Sequence, residues 1–141
     1  MTEYSKIFID TAPLIYFLEN NPQYHHKIKF FLEKRYEEKV KIMTSVITIE
    51  EYCVFPYRNN DKDLIRKLDR FMADMEIGII NIDVAIAKKA SKIRGMFRDF
   101  KAMDSLQLAA ACKKGCDMFL TNDKQLRQFR EIKCVTVDEL S

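Results

Sequence analysis

Glycine and proline are scarce in this chain, at three residues each out of 141, and no Ser-rich, Gln-rich or charge-block segment interrupts it. A flexible linker or disordered tail is therefore not expected, since such segments need polar or breaker-rich composition. Long hydrophobic runs are missing too. The purely apolar stretches fall far short of the roughly 20 residues needed to span a bilayer. The opening Met1-Thr2-Glu3-Tyr4-Ser5-Lys6 has no charged-then-apolar leader layout. A soluble, cytoplasmic chain with no membrane partner is expected. Val137-Asp138-Glu139-Leu140 looks like an endoplasmic-reticulum retention signal, but Ser141 follows it and no secretory signal precedes it. Cys53, Cys112, Cys116 and Cys134 show no paired C-x-x-C spacing, and the only two histidines are adjacent, at 25 and 26. Neighbours on a helix point about 100° apart, so His25 and His26 do not chelate one ion, and a zinc site is not expected. The cysteines read as reduced thiols. A net charge of only +3 does not announce nucleic-acid binding, so any basic footprint must be local.

What the chain does have is apolar material, 48% of its residues, enough for one core and hence a single domain over residues 1–141. Ile7-Phe8-Ile9 ends at Asp10, and Pro13, Leu14, Ile15, Phe17 and Leu18 follow at helical spacing. This predicts a strand and then a helix with Pro13 at its first position and Ala12 as its cap. After Asn20-Asn21-Pro22, residues Ile28, Phe31, Leu32 and Tyr36 mark an amphipathic helix. Lys41 to Thr44 reads as a second strand. Thr48 to about Phe55 reads as a helix interrupted at Pro56, and Leu64, Leu68, Phe71, Met72 and Met75 mark another. Ile79 to Ile82 is a third strand, Val84 through Phe97 a helix, and Lys101 to Lys114 an Ala-rich helix closed by Gly115. Met118 to Leu120 is a fourth strand, Lys124 to Phe129 a short helix, and Cys134 to Val137 a fifth strand. The alternation predicts a three-layer α/β/α domain with a mostly parallel five-stranded sheet.

Four acids, Asp10, Glu51, Asp104 and Asp123, each stand where an apolar run gives way to a helical stretch. In an open parallel sheet, such side chains project into one crevice beyond the strand ends. Crowded carboxylates raise each other's pKa, so a cluster kept ionised at neutral pH needs a hard cation such as Mg²⁺ or Mn²⁺. That combination points to metal-assisted phosphodiester cleavage. Each acid also has a plain structural reading. Thr48-Ile49-Glu50-Glu51 matches a capping box, Asp104 suits a cap for a helix starting one turn later, and Asp123 suits a cap before Lys124. Capping and metal binding are compatible, since a helix N-terminus favours negative charge. Asp83 also follows a strand, but it reads as a cap because the third strand is expected at a sheet edge, away from the switch point between the first and fourth strands.

The segments Phe8-Ile9-Asp10-Thr11, Thr44-Ser45-Val46-Ile47-Thr48-Ile49-Glu50-Glu51, Asp104-Ser105-Leu106-Gln107-Leu108-Ala109-Ala110-Ala111 and Leu120-Thr121-Asn122-Asp123 together resemble a PIN domain, most closely the VapC-type toxin ribonucleases. The resemblance runs nearly the full length. By motif position it implies metal held chiefly by Asp10, Asp104 and Asp123, with Glu51 completing the acidic site and Glu50 outside it. One departure is Ala12, where many members carry Asn. The implied activity is Mg²⁺- or Mn²⁺-dependent endoribonuclease cleavage of RNA by an activated water, with no Ser, Cys or His nucleophile. The implied partners are a cognate antitoxin and a second copy in a homodimer.

Cleaving a polyanion calls for basic groups at the rim, and Arg94, Arg98 and Lys101 lead into the helix of Asp104, while Lys124 and Arg127 flank Asp123. A solvated helix face explains the same run. Thr11, Ser45 and Asn122 are small polar neighbours suited to ordering water or phosphate. Tyr16, Phe17, Tyr52, Phe55 and Tyr57 suit either an apolar groove for an antitoxin segment or the core. Two competing readings fit poorly: a haloacid-dehalogenase-type phosphatase needs Asp at position 12, and a response-regulator receiver needs a phosphoacceptor Asp and a Lys where Asn81 and Thr136 stand. A PIN-fold module that binds RNA or protein without cutting, and a DNA-directed nuclease, remain as alternatives.

Overall fold

Alternation along the central strands sets the layers. In β1, Lys6–Ile9, the side chains of Ile7 and Ile9 pack with Leu14 and Leu18, whereas Phe8 points to the opposite face and stacks on Phe119 with ring centroids 5.1 Å apart. The computed structural model describes residues 4–140. Met1, Thr2, Glu3 and Ser141, on which the leader and retention-signal readings partly rest, lie outside the described residues.

The remaining elements are α1 (Thr11–Leu18), α2 (His25–Glu37), β2 (Lys41–Ser45), α3 (Val46–Arg58), α4 (Lys62–Asp74), β3 (Gly78–Ile80), α5 (Val84–Met96), α6 (Ala102–Lys113), β4 (Met118–Thr121) and β5 (Lys133–Thr136). Two 3-10 helices, Lys124–Gln128 and Val137–Glu139, complete the described chain. The five strands form one parallel sheet in the order β3-β2-β1-β4-β5. One face is covered by α1 to α4 through Leu14, Ile28, Tyr52 and Leu68, and the other by α5 and α6 through Ile86, Ile93 and Leu108. The predicted three-layer α/β/α architecture is therefore the observed one. Among the described residues no helix is long and apolar enough to cross a membrane.

The strand order puts the switch point between β1 and β4, with β3 at an edge, as expected. The chain leaving β1 enters α1 on one face, while the turn after β4 carries Leu126 into the core of the other. A crevice opens between the diverging connections, and it is here that the first and last of the four acids emerge.

Local details differ from expectation. Asp10, not Ala12, is the N-cap of α1, its carboxylate accepting from the Thr11 N–H, and Pro13 sits within the first turn, where its missing donor costs nothing. Pro56 does not end α3, which runs on to Arg58; its ring is buried, and the Asp61 N–H closes onto the Pro56 carbonyl at 2.8 Å. The packing of that ring outweighs the lost hydrogen bond. Ser45, not Thr48, caps α3, so no capping box fixes Glu51. Strand β3 ends at Ile80, two residues early, and Lys124–Gln128 is a 3-10 turn rather than an α-helix.

Candidate active site

Asp10 follows the last residue of β1, and its N–H donates to the Leu120 carbonyl at 2.9 Å, which ties it to the neighbouring strand. Its carboxylate accepts from the Thr11 N–H at 2.8 Å and from the Thr121 hydroxyl at 2.9 Å. The residue is only 8% exposed. Burial is the main force on its pKa, pushing it up to about 6; the Thr11 and Thr121 hydrogen bonds pull down, and the charges of Asp104 and Glu51 push further up.

The other acids reach the same crevice from separate elements. Glu51 projects from α3 and accepts from the Thr11 hydroxyl at 2.6 Å. Asp104 lies in the first turn of α6, whose N-cap is Lys101, so it is not itself the cap. Burial raises the Asp104 pKa, Asp123 and Glu51 raise it further, and Lys101 opposes them. Asp123 caps the 3-10 turn after β4, accepting from the Gln125 N–H at 3.0 Å, while its own N–H donates to the Thr121 hydroxyl at 3.2 Å. Asp10, Glu51, Asp104 and Asp123 line one open cleft of 610 Å³ with Thr11, Lys101, Thr121 and Asn122. Among the described residues no three carboxylate, imidazole or thiol groups stand close enough to grip one ion by themselves.

Residues 7–132 match the family model for the PIN domain. The chain belongs to the PIN domain family. No curated protein matches its sequence. Among solved structures, this PIN domain is similar to VapBC2 from Rickettsia felis bound to a promoter DNA fragment, with a TM-score of 0.79 at 15% identity over 93% of this chain and 98% of that one. It is similar to FitAcB from Neisseria gonorrhoeae, with a TM-score of 0.74 at 17% identity over 95% and 99%. It is also similar to Mycobacterium tuberculosis VapC20, a sarcin-ricin loop cleaving toxin, with a TM-score of 0.65 at 17% identity over 90% and 98%. At these identities the likeness is one of fold.

Not every residue expected at the PIN domain's cleft is found there. Ser45 is fully buried beneath it, bonded to Gln107 and to the Ile47 N–H, out of reach of a phosphate. Arg98 is exposed and does not line the cleft, and Arg127 is engaged with Glu139 at 3.1 Å; of the basic run, Lys101 alone is part of the lining. Asn122 lines the cleft but donates to the Tyr16 hydroxyl at 2.8 Å. Asp83 caps α5 through the Ile86 N–H at 2.9 Å, as read from the sequence. Two contributors were missed. Thr121 bridges Asp10 and Asp123, and its signal was a polar residue ending an otherwise apolar strand. Gln107 is 1% exposed within the run Leu106 to Ala111 of α6, and a lone amide among apolar neighbours was the clue.

Proposed function

We propose that this PIN domain is a Mg²⁺- or Mn²⁺-dependent endoribonuclease acting in the cytoplasm as the toxin of a toxin–antitoxin pair. The observation that carries the reading is the convergence of four acids from four separate segments on one cleft, where burial raises the carboxyl pKa of both Asp10 and Asp104. Among the described residues Lys101 is the sole basic one in the cleft lining, so the acids there are short of positive charge, and a divalent cation would relieve them. An all-oxygen donor set fits a hard ion. A hard ion such as Mg²⁺ keeps several of its waters, so the acids of the cleft need not all touch it directly. Asp10, Asp104 and Asp123 are the residues to hold it, with Glu51 completing the acidic rim. Bound there, the ion supplies a Lewis acid for the phosphodiester and lowers the pKa of an attacking water.

The chain's own groups do the rest. Thr11 and Thr121 hold the carboxylates of Glu51 and Asp10 in place from below, so little reorganisation is needed when substrate arrives. Lys101 is exposed and lines the cleft, where its ammonium would balance a phosphate oxygen of a bound substrate. No nucleophilic side chain is required. Phe55 and Tyr57 of α3 are 60% and 68% exposed and offer apolar surface to an antitoxin segment or to a second copy in a homodimer.

The test incubates purified, partner-free protein with RNA and with DNA in Mg²⁺, Mn²⁺ or EDTA, beside Asp10→Asn. RNA cleavage that needs metal and is lost in the folded variant is expected. RNA binding without cleavage would make it a binding module, and cleavage confined to DNA would make it a DNA-directed nuclease. Growth arrest on expression, relieved by Asp104→Asn and by a small adjacent reading frame, tests the toxin role.

A further inference from the structure

Beneath the cleft lies a closed set of polar side chains that the four acids do not account for. Thr44, Ser45 and Thr48 are fully buried and Gln107 is 1% exposed, all at the point where β2, α3 and α6 meet. Buried polar groups persist when every donor finds an acceptor, and here the protons can be assigned one by one.

Thr44 Oγ1 lies 2.8 Å from the Ile9 carbonyl and 2.8 Å from Thr48 Oγ1. A carbonyl only accepts, so the Thr44 proton goes to Ile9 and the Thr48 proton must go to Thr44. Thr11 spends its proton on Glu51, leaving the 3.2 Å approach of Thr11 and Thr48 without a hydrogen to share. Ser45 donates to Gln107 Oε1, which fixes the orientation of the amide. Gln107 Nε2 then faces Thr48 Oγ1 at 2.7 Å, Asp10 Oδ1 at 3.4 Å and Thr11 Oγ1 at 3.5 Å. Its two N–H groups are the remaining donors, one for Thr48 and one shared between Asp10 and the hydroxyl that holds Glu51.

We infer that Gln107 is a positioning residue for the acidic site: a neutral, buried amide that sets the direction of the hydroxyl chain and holds Asp10 and the Thr11–Glu51 pair in fixed relation. The inference rests on the metal-dependent cleavage proposed above for what the positioned acids do. An amide suits this place because a cationic donor would neutralise the acids themselves, while an apolar side chain would leave Ser45 without an acceptor and Thr48 without a donor.

The experiment compares Gln107→Met, close in shape but without N–H, with Ile93→Val, a core deletion in α5 away from the polar set. In metal-free protein, ¹³C resonances of the Asp10 and Glu51 carboxyl groups should move in Gln107→Met and stay in place in Ile93→Val. In Mn²⁺ titrations followed by electron paramagnetic resonance, Gln107→Met should weaken binding by roughly 10- to 100-fold, as loss of a group that orients metal ligands does. Unmoved carboxyl resonances in Gln107→Met, or equal displacement in both variants, would overturn the assignment. Should the wild-type protein take up no Mn²⁺, the proposed function fails, and the metal-free resonances still decide the positioning role. If Gln107→Met does not fold, Thr48→Val removes the amide's partner and is read in the same way.

Discussion

Replacing Asp10 with Asn should stabilise the metal-free protein at neutral pH while destroying its affinity for a divalent ion. Asp10 is 8% exposed and its pKa is pushed from 3.8 to about 6, mainly by burial. A folded-state pKa above the unfolded value means that the proton binds better in the native protein. The associated stability is fully present below about pH 4 and is lost as pH rises through about 6. A rise of about two pH units corresponds to about 3 kcal/mol of cost at pH 7.5. Asn keeps the acceptor for the Thr11 N–H but turns an N–H₂ toward the Thr121 hydroxyl, for a penalty of about 1 kcal/mol. The net gain is about 2 kcal/mol, or roughly 6 °C in Tm for a chain of this size. Thermal unfolding followed by circular dichroism in EDTA should show that gain at pH 7.5 and its disappearance at pH 4. With Mn²⁺ at 100 times its Kd, the wild-type protein should gain about 2.7 kcal/mol and the variant almost nothing, so the order reverses. A variant less stable than wild type in EDTA at pH 7.5, or an advantage that persists unchanged at pH 4, would refute the reasoning.

Other substitutions separate the neighbouring roles. Thr121→Val keeps shape but leaves the Asp10 carboxylate and the Asp123 N–H each short of a partner; urea unfolding should show a loss of about 1–3 kcal/mol, and carboxyl ¹³C titration should find Asp10 above 6. Glu51→Gln retains an acceptor for the Thr11 hydroxyl and should fold normally yet cleave roughly 10- to 100-fold more slowly. Glu50→Gln, exposed and outside the cleft, should leave the rate unchanged in the same gel assay. Asp83→Ala should cost about 1 kcal/mol through the lost cap of α5, with no change in cleavage per folded molecule.

The strands and the placement of the four acids were legible in sequence because both follow from local periodicity. Apolar runs such as Ile7-Phe8-Ile9 and Met118-Phe119-Leu120 declare buried parallel strands, and a parallel sheet gathers whatever stands past its strand ends. The edge position of β3 also follows from this topology, and it separates Asp83 from the cleft. What stayed hidden depends on contacts between distant residues. Pro56 reads as a breaker until its burial within α3 is seen. Ser45 and Thr48 look like cleft and cap residues, and only the docking of α6 onto β2 turns them into partners of Gln107, 62 and 59 residues away. Arg98 and Arg127 carry the right charge, but Arg98 falls in the exposed turn between α5 and α6, Arg127 pairs with Glu139, and neither lines the cleft.

The central claim is that the acids of this cleft work through a divalent cation. The most direct measurement is the initial rate of RNA cleavage as Mg²⁺ is added to EDTA-treated protein, for wild type and for Asp104→Asn with its folding checked. Saturable, metal-dependent cleavage by wild type and none by the variant is predicted; cleavage without metal, or full activity in the folded variant, would contradict the account.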